Sequence, residues 1–161
     1  MKAKIIALSA FLLLGAASLW GQWNNTGTLT INGNMPVITQ VSVVDLGVSL
    51  ALETAATDVL LAQILERSNS ATGYTVSVVS TNSGALVGTS LGENLAYTLT
   101  IGGAAVDLSA GAVLISDSTL RTVAVGISKE IRLSHGSGGT GALLLAEDSY
   151  SDVLTFEIAP K

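Results

Sequence analysis

The chain has 161 residues, 12 of them acidic and 7 basic, with a single histidine and no cysteine. That length suits one domain of ordinary size, and the missing cysteines exclude both disulfide stapling and thiolate metal sites. The acidic balance, with no basic cluster to offset it, repels phosphate backbones and argues against a nucleic-acid partner.

The chain opens "MKAKIIALSAFLLLGAASLWGQ", with Lys2 and Lys4 ahead of an apolar run over residues 5–14 and then small residues. This is the three-part pattern of a secretory signal peptide, and the run is short for a bilayer span. Residues 1–21 are therefore expected to be removed on export to the periplasm, the cell surface or the extracellular space, leaving no membrane segment. The remaining chain keeps Arg67, Arg121, Lys129, Arg132 and Lys161 against all 12 acids, a balance of −7. Asn24-Asn25-Thr26 matches a glycosylation acceptor, which matters only in a host with that machinery.

Residues 22–34 read as an N-terminal arm or a first strand, and residues 35–161 as a β-sandwich domain. From residue 29 to 43 the odd positions are mostly apolar (Leu29, Ile31, Met35, Val37, Val41, Val43) and the even ones mostly polar. That alternation is a strand signal, which Gly33 and Pro36 interrupt. Residues 59–66 fit either a buried strand or a helix, and neighbouring strands favour the strand, preceded by a loop or short helical turn. Tyr74, Val76 and Val78 form one face, and Leu95, Tyr97, Leu99 and Ile101 another. Gly102-Gly103 supplies a two-residue hairpin turn into a short strand near residues 105–108. Val123, Val125 and Ile127 alternate, continued after a bend by Ile131 and Leu133. In the last run Tyr150, Leu154, Phe156 and Ile158 share one face. About seven or more short strands with turn signals between them predict an all-β, two-sheet antiparallel sandwich.

Chemistry-bearing motifs are few. Gly136-Ser-Gly-Gly-Thr-Gly141 has dinucleotide-loop spacing, but too few residues follow for the helix such a site needs, and it reads as a flexible loop. His135 beside that loop reads as solvent-exposed, and no G-x-S-x-G elbow accompanies it. Glu147, Asp148 and Asp152 offer oxygens that suit calcium, without the fixed spacing of a calcium loop, and read as loop acids. Trp23, Tyr74, Tyr97 and Tyr150 read as core or rim residues rather than a sugar platform. No catalytic, cofactor-binding or metal residue is expected. Strict alternation points Asp152 inward, so it needs a hydrogen-bonding partner; Tyr150 and Asp152 are expected to form a structural turn, with Asp152 tying down the turn before it.

"LERSNSATGYTVSVVSTNSGAL", "NLAYTLTIGG" and the ending "YSDVLTFEIAP" resemble the secreted spore coat protein U-like family, which overlaps the pilin subunits of archaic chaperone–usher fimbriae. Tyr150, Ser151, Asp152, Leu154, Phe156 and Ile158 match the last-strand pattern of that family; Asp148 stands where a glycine is usual, and the frequent cysteine pair is absent. The resemblance implies an immunoglobulin-like sandwich, complete or incomplete, with no catalysis and no cofactor. It implies partners among copies of itself or other surface subunits, with a periplasmic chaperone. In such subunits an N-terminal arm fills a groove of the next one. Leu29, Ile31, Met35 and Val37 have the alternate apolar spacing that strand addition requires, and they equally suit this chain's own first strand. A secreted ligand- or carbohydrate-binding module, with its site in loops at one end of the sandwich, is the other reading of the same fold.

Overall fold

The computed structural model describes residues 28–139 and 144–161. The expected signal segment, Trp23 and the Asn24 acceptor lie outside the described residues, as do Thr140 and Gly141 of the glycine loop. The chain divides into two units, Met1–Met35 and Pro36–Lys161. In the first, residues 28–35 carry no helix or strand, and Leu29, Ile31 and Met35 are exposed.

The second unit is a two-sheet antiparallel β-sandwich of ten strands. They are β1 (Thr39–Asp45), β2 (Ala56–Ser68), β3 (Tyr74–Ser80), β4 (Ala85–Gly88), β5 (Asn94–Ile101), β6 (Ala104–Val106), β7 (Val113–Ser118), β8 (Ile127–His135), β9 (Tyr150–Ser151) and β10 (Leu154–Pro160). One sheet runs β1-β2-β8-β5-β4-β9, with β6 also pairing β5; the other runs β10-β3-β7.

Alternation builds the core between the sheets. Ala62 and Ile64 from β2, Leu95, Tyr97, Leu99 and Ile101 from β5, and Ile131 and Leu133 from β8 face Tyr74, Val76 and Val78 from β3, all of them buried. Each fully covered aliphatic side chain contributes about 1.5–3 kcal/mol. The ambiguous stretch after residue 55 is a strand, and a longer one than expected, because its inner face has buried partners to meet. The Gly102-Gly103 hairpin forms as expected: both glycines hold positive φ, and Ile101 pairs with Ala104 across them.

Four expectations need correction. Residues 29–37 form no strand; the ladder begins at Thr39, after Pro36, which has no N–H to give. Val123 and Val125 are not part of a strand: they sit exposed in the loop before β8, where Gly126 adopts φ +83 and breaks the alternation. The closing run is two strands in two sheets, since β9 pairs β4 while β10 pairs β3, and the chain changes sheet at Asp152 and Val153. His135 is not solvent-exposed but 5% accessible, because it extends the inward series Ile131, Leu133 at the end of β8.

Candidate functional site

The sandwich is not closed on all sides. β1 pairs only with β2, and β10 pairs only with β3, so each is the edge of its own sheet. These two edge strands approach one another, within 8 Å between Cα atoms, without a ladder joining them. β1 runs from the Ser68 end of β2 towards Ala62, while β10 runs from the Ser80 end of β3 towards Tyr74.

Register shows which side chains face the gap. Val41 and Val43 lie opposite Glu66 and Ile64, both wholly buried, so they sit on the inner face of β1. Leu154, Phe156 and Ile158 lie opposite Ser80, Val78 and Val76, again buried residues. Yet Val41, Leu154, Phe156 and Ile158 are only half-buried, and Val43 is 44% exposed. The inner faces of two edge strands are thus apolar and partly uncovered, beside unpaired backbone groups along both edges.

The chain leading into β1 is clamped by one side chain. Asn69 Oδ1 accepts from Ile38 N–H at 2.6 Å, its Nδ2 donates to the Pro36 carbonyl at 2.9 Å, and its own N–H donates to the Ile38 carbonyl at 3.0 Å. The four expected strand-addition residues, Leu29, Ile31, Met35 and Val37, are between 62% and 86% exposed. They occupy no strand of either sheet.

Asp152 does find partners, but none of them lies in the turn just before it, which it was expected to tie down. Its carboxylate accepts from Ser80 Oγ at 2.6 Å, Tyr97 OH at 2.5 Å, Asn82 N–H at 3.0 Å and Val153 N–H at 2.7 Å. It therefore holds the turn after β3 and joins β3 to β5 where the chain changes sheet. Burial would raise its pKa, but the hydroxyl donors Ser80 and Tyr97 and the backbone donors hold it below the ordinary value. Burial, followed by the bond to Asp152, pushes the Tyr97 phenol far above its usual range.

The turn preceding Tyr150 belongs to Asp148. That carboxylate accepts from Ser90 N–H at 2.7 Å, Thr89 Oγ1 at 2.8 Å, Ser90 Oγ at 3.0 Å and Ser149 N–H at 2.7 Å. The Ser90 backbone bond and then its other donors outweigh desolvation and hold Asp148 well below the carboxylate range. Gly88 permits the approach, since a Cβ there would lie 2.8 Å from Asp148 Oδ2. Tyr150 OH donates to Glu93 Oε2 at 2.9 Å. The oxygens of Asp148 and Asp152 are thus aimed at N–H and O–H donors rather than at a shared point. Among the described residues no three His, Asp or Glu side chains converge as a metal site.

Sequence reading missed a polar centre inside the sandwich. Glu66 on β2 is fully buried, 3.0 Å from Lys129 Nζ, and accepts from Ser116 Oγ at 2.6 Å and Tyr74 OH at 3.3 Å. Lys129 also donates to the Ile115 carbonyl at 3.1 Å and to Ser116 Oγ. The signal was present, because the series Ala62, Ile64, Glu66, Ser68 and the series Lys129, Ile131, Leu133 both alternate inward. His135, by contrast, uses Nδ1 on the Gly136 carbonyl at 2.7 Å, and its buried Nε2 has no hydrogen-bond partner among the described residues.

At the end of the sandwich where β8 finishes, a cavity of about 750 Å³ lies between loop residues including Leu50, Leu52, Glu53, Leu145, Glu147 and Tyr150. No protein-family model matches this chain, and no curated protein matches it in sequence.

Proposed function

We propose that the protein is an exported, non-enzymatic surface subunit, pilin-like in its assembly, that joins other copies by β-strand addition. One observation carries this reading: β1 and β10 are neighbouring edge strands whose inward apolar residues, Val43 above all, remain partly uncovered. An extended segment added to either edge would satisfy its unpaired backbone groups and extend the cover over its inner face. The segment with the required alternate side chains is residues 28–37 of another copy, carrying Leu29, Ile31, Met35 and Val37. A periplasmic chaperone would cover the same edges before assembly, since open apolar edges invite aggregation. The reading gives the protein no cofactor and no catalytic step.

The test is removal of residues 22–34. Electron microscopy of the full-length product should show linear assemblies and the deleted protein none, while circular dichroism shows the same cooperatively folded β-domain for both. A deletion that unfolds the domain, or one that still assembles, refutes strand addition.

A second reading, a ligand- or carbohydrate-binding module, is favoured by the cavity beneath Leu50, Leu145 and Tyr150. Glycan-array binding that survives the same deletion would support it over assembly.

A further inference from the structure

The two ends of the sandwich carry opposite charge character. Register places the start of β1 (Thr39), the end of β2 (Ser68) and the start of β8 (Ile127) at one end, and Ala56, Asn94 and His135 at the other, with Asp45, Ala62, Ile131 and Ile101 level with one another between them. Three cations of the described chain are neutralised: Lys129 by Glu66, Arg132 by Asp58 and Glu130, and Lys161 by Asp117. Among the described residues Arg67 and Arg121 have no carboxylate partner, and both are exposed at the first end.

Arg121 belongs to a loop that is pinned down. The next residue, Thr122, donates its N–H to the Ser68 carbonyl at 2.9 Å, and its Oγ1 accepts from Ser68 N–H at 3.0 Å. Gly126 N–H closes a turn on the Val123 carbonyl at 2.9 Å. A Cβ on Gly126 would lie 2.7 Å from the Glu66 carbonyl oxygen, so only glycine lets the loop lie this close to β2. The pinned loop presents Leu120, Val123 and Val125, the last 87% exposed, around Arg121. A fixed loop loses little entropy on docking.

The second end is the converse. Residues 47–57, 86–96 and 133–153 contain no Lys or Arg. Glu53 and Glu147 are exposed there, without an ion pair among the described residues, beside the exposed Leu144. Apolar side chains among unpaired guanidinium groups at one end therefore match apolar side chains among unpaired carboxylates at the other.

We infer that the Arg67–Arg121 end of one copy docks on the Glu53–Glu147 end of a second copy, a head-to-tail contact that adds to strand addition. A contact between unlike surfaces that does not close on itself propagates as an open filament. The inference rests on the strand-addition reading in one respect: residues 28–35 continue from Pro36, which Asn69 clamps beside Ser68, so a copy that holds this arm is tethered to the Arg67–Arg121 end.

The experiment uses protein expressed from the 161-residue sequence. Arg67→Glu/Arg121→Glu should weaken self-association roughly tenfold at low salt and abolish its salt dependence, read by sedimentation velocity. Adding Glu53→Lys/Glu147→Lys to that variant should restore association, because the two charge patterns are then exchanged. Excess synthetic peptide of residues 28–38 should shorten the assemblies of wild type and of the exchanged variant alike. If the Arg67→Glu/Arg121→Glu protein associates as wild type does, or the exchange restores nothing, end-to-end docking is overturned. If the charge variants behave as expected but the peptide has no effect, strand addition fails and the docking of the ends stands.

Discussion

Val43 and Ile64 face one another across the β1–β2 ladder, yet Ile64 is completely covered and Val43 is 44% exposed. Two residues of one kind, on one face of one sheet, differ because β2 has a neighbour on both sides and β1 has only one. The cover missing from Val43 is what an added strand would supply.

Val43→Asp separates the two roles of this face. A half-exposed edge position tolerates a polar group, so the substitution should cost the isolated subunit no more than about 1 kcal/mol. A charge buried beneath an incoming strand has no such escape, and assembly should weaken at least about tenfold. Urea denaturation and sedimentation velocity read the two effects; equal assembly by the variant would show that the incoming strand does not cover Val43. Ile64→Asp, on the same face one strand inward, should instead unfold the domain.

The Glu66–Lys129 pair should show the asymmetry of buried charges. Lys129→Met leaves Glu66 to Ser116 and Tyr74 alone and should cost about 2–3 kcal/mol, less than a fully enclosed pair because Lys129 is partly exposed. Glu66→Met combined with Lys129→Met removes both charges and should recover much of that loss. A double variant less stable than either single one in urea titration would show that the network contributes net stability.

Asp152 sets the sign of an acid response. Its pKa is held below the ordinary 3.8, so the unfolded chain takes up the proton first as pH falls. Its contribution is therefore complete above about pH 5 and is lost as pH drops below about 4 towards the folded value. Asp152→Ala should cost about 2 kcal/mol at neutral pH, since it strands the Ser80 and Tyr97 hydroxyls and the Asn82 N–H. The stability gap between wild type and variant should stay constant from about pH 7 to 5 and narrow below about pH 4. A gap that widens in acid would place the carboxylate outside this network.

Much of the fold is legible along the chain. The faces of Tyr74–Ser80 and Asn94–Ile101 follow directly from period-two spacing, and the Gly102-Gly103 hairpin follows from glycine's access to positive φ. β4 and β7 are harder to read, since Ala85–Gly88 is only four residues long and Val113–Ser118 carries a bulge that disturbs its alternation. Val123 and Val125 mislead because alternation reports which residues could share a face, not whether a neighbouring strand exists to pair with them. His135 was within reach, as the third term of Ile131, Leu133, His135, had the glycine loop beside it not suggested exposure.

By itself the sequence determined the strand class, the inward series of each major strand and the need of Asp152 for a partner, because these follow from local geometry and the cost of burying a charge. Tertiary structure decided what lies across each gap. Only the packed sheets show that Asp152 reaches Ser80 and Tyr97, that Glu66 meets Lys129, and that β1 and β10 are neighbouring edges with their inner faces half-covered. Those contacts join residues far apart in the chain, 72 positions for Ser80 and Asp152. Their pairing depends on sheet order, and spacing along a chain carries no record of which edge is left open.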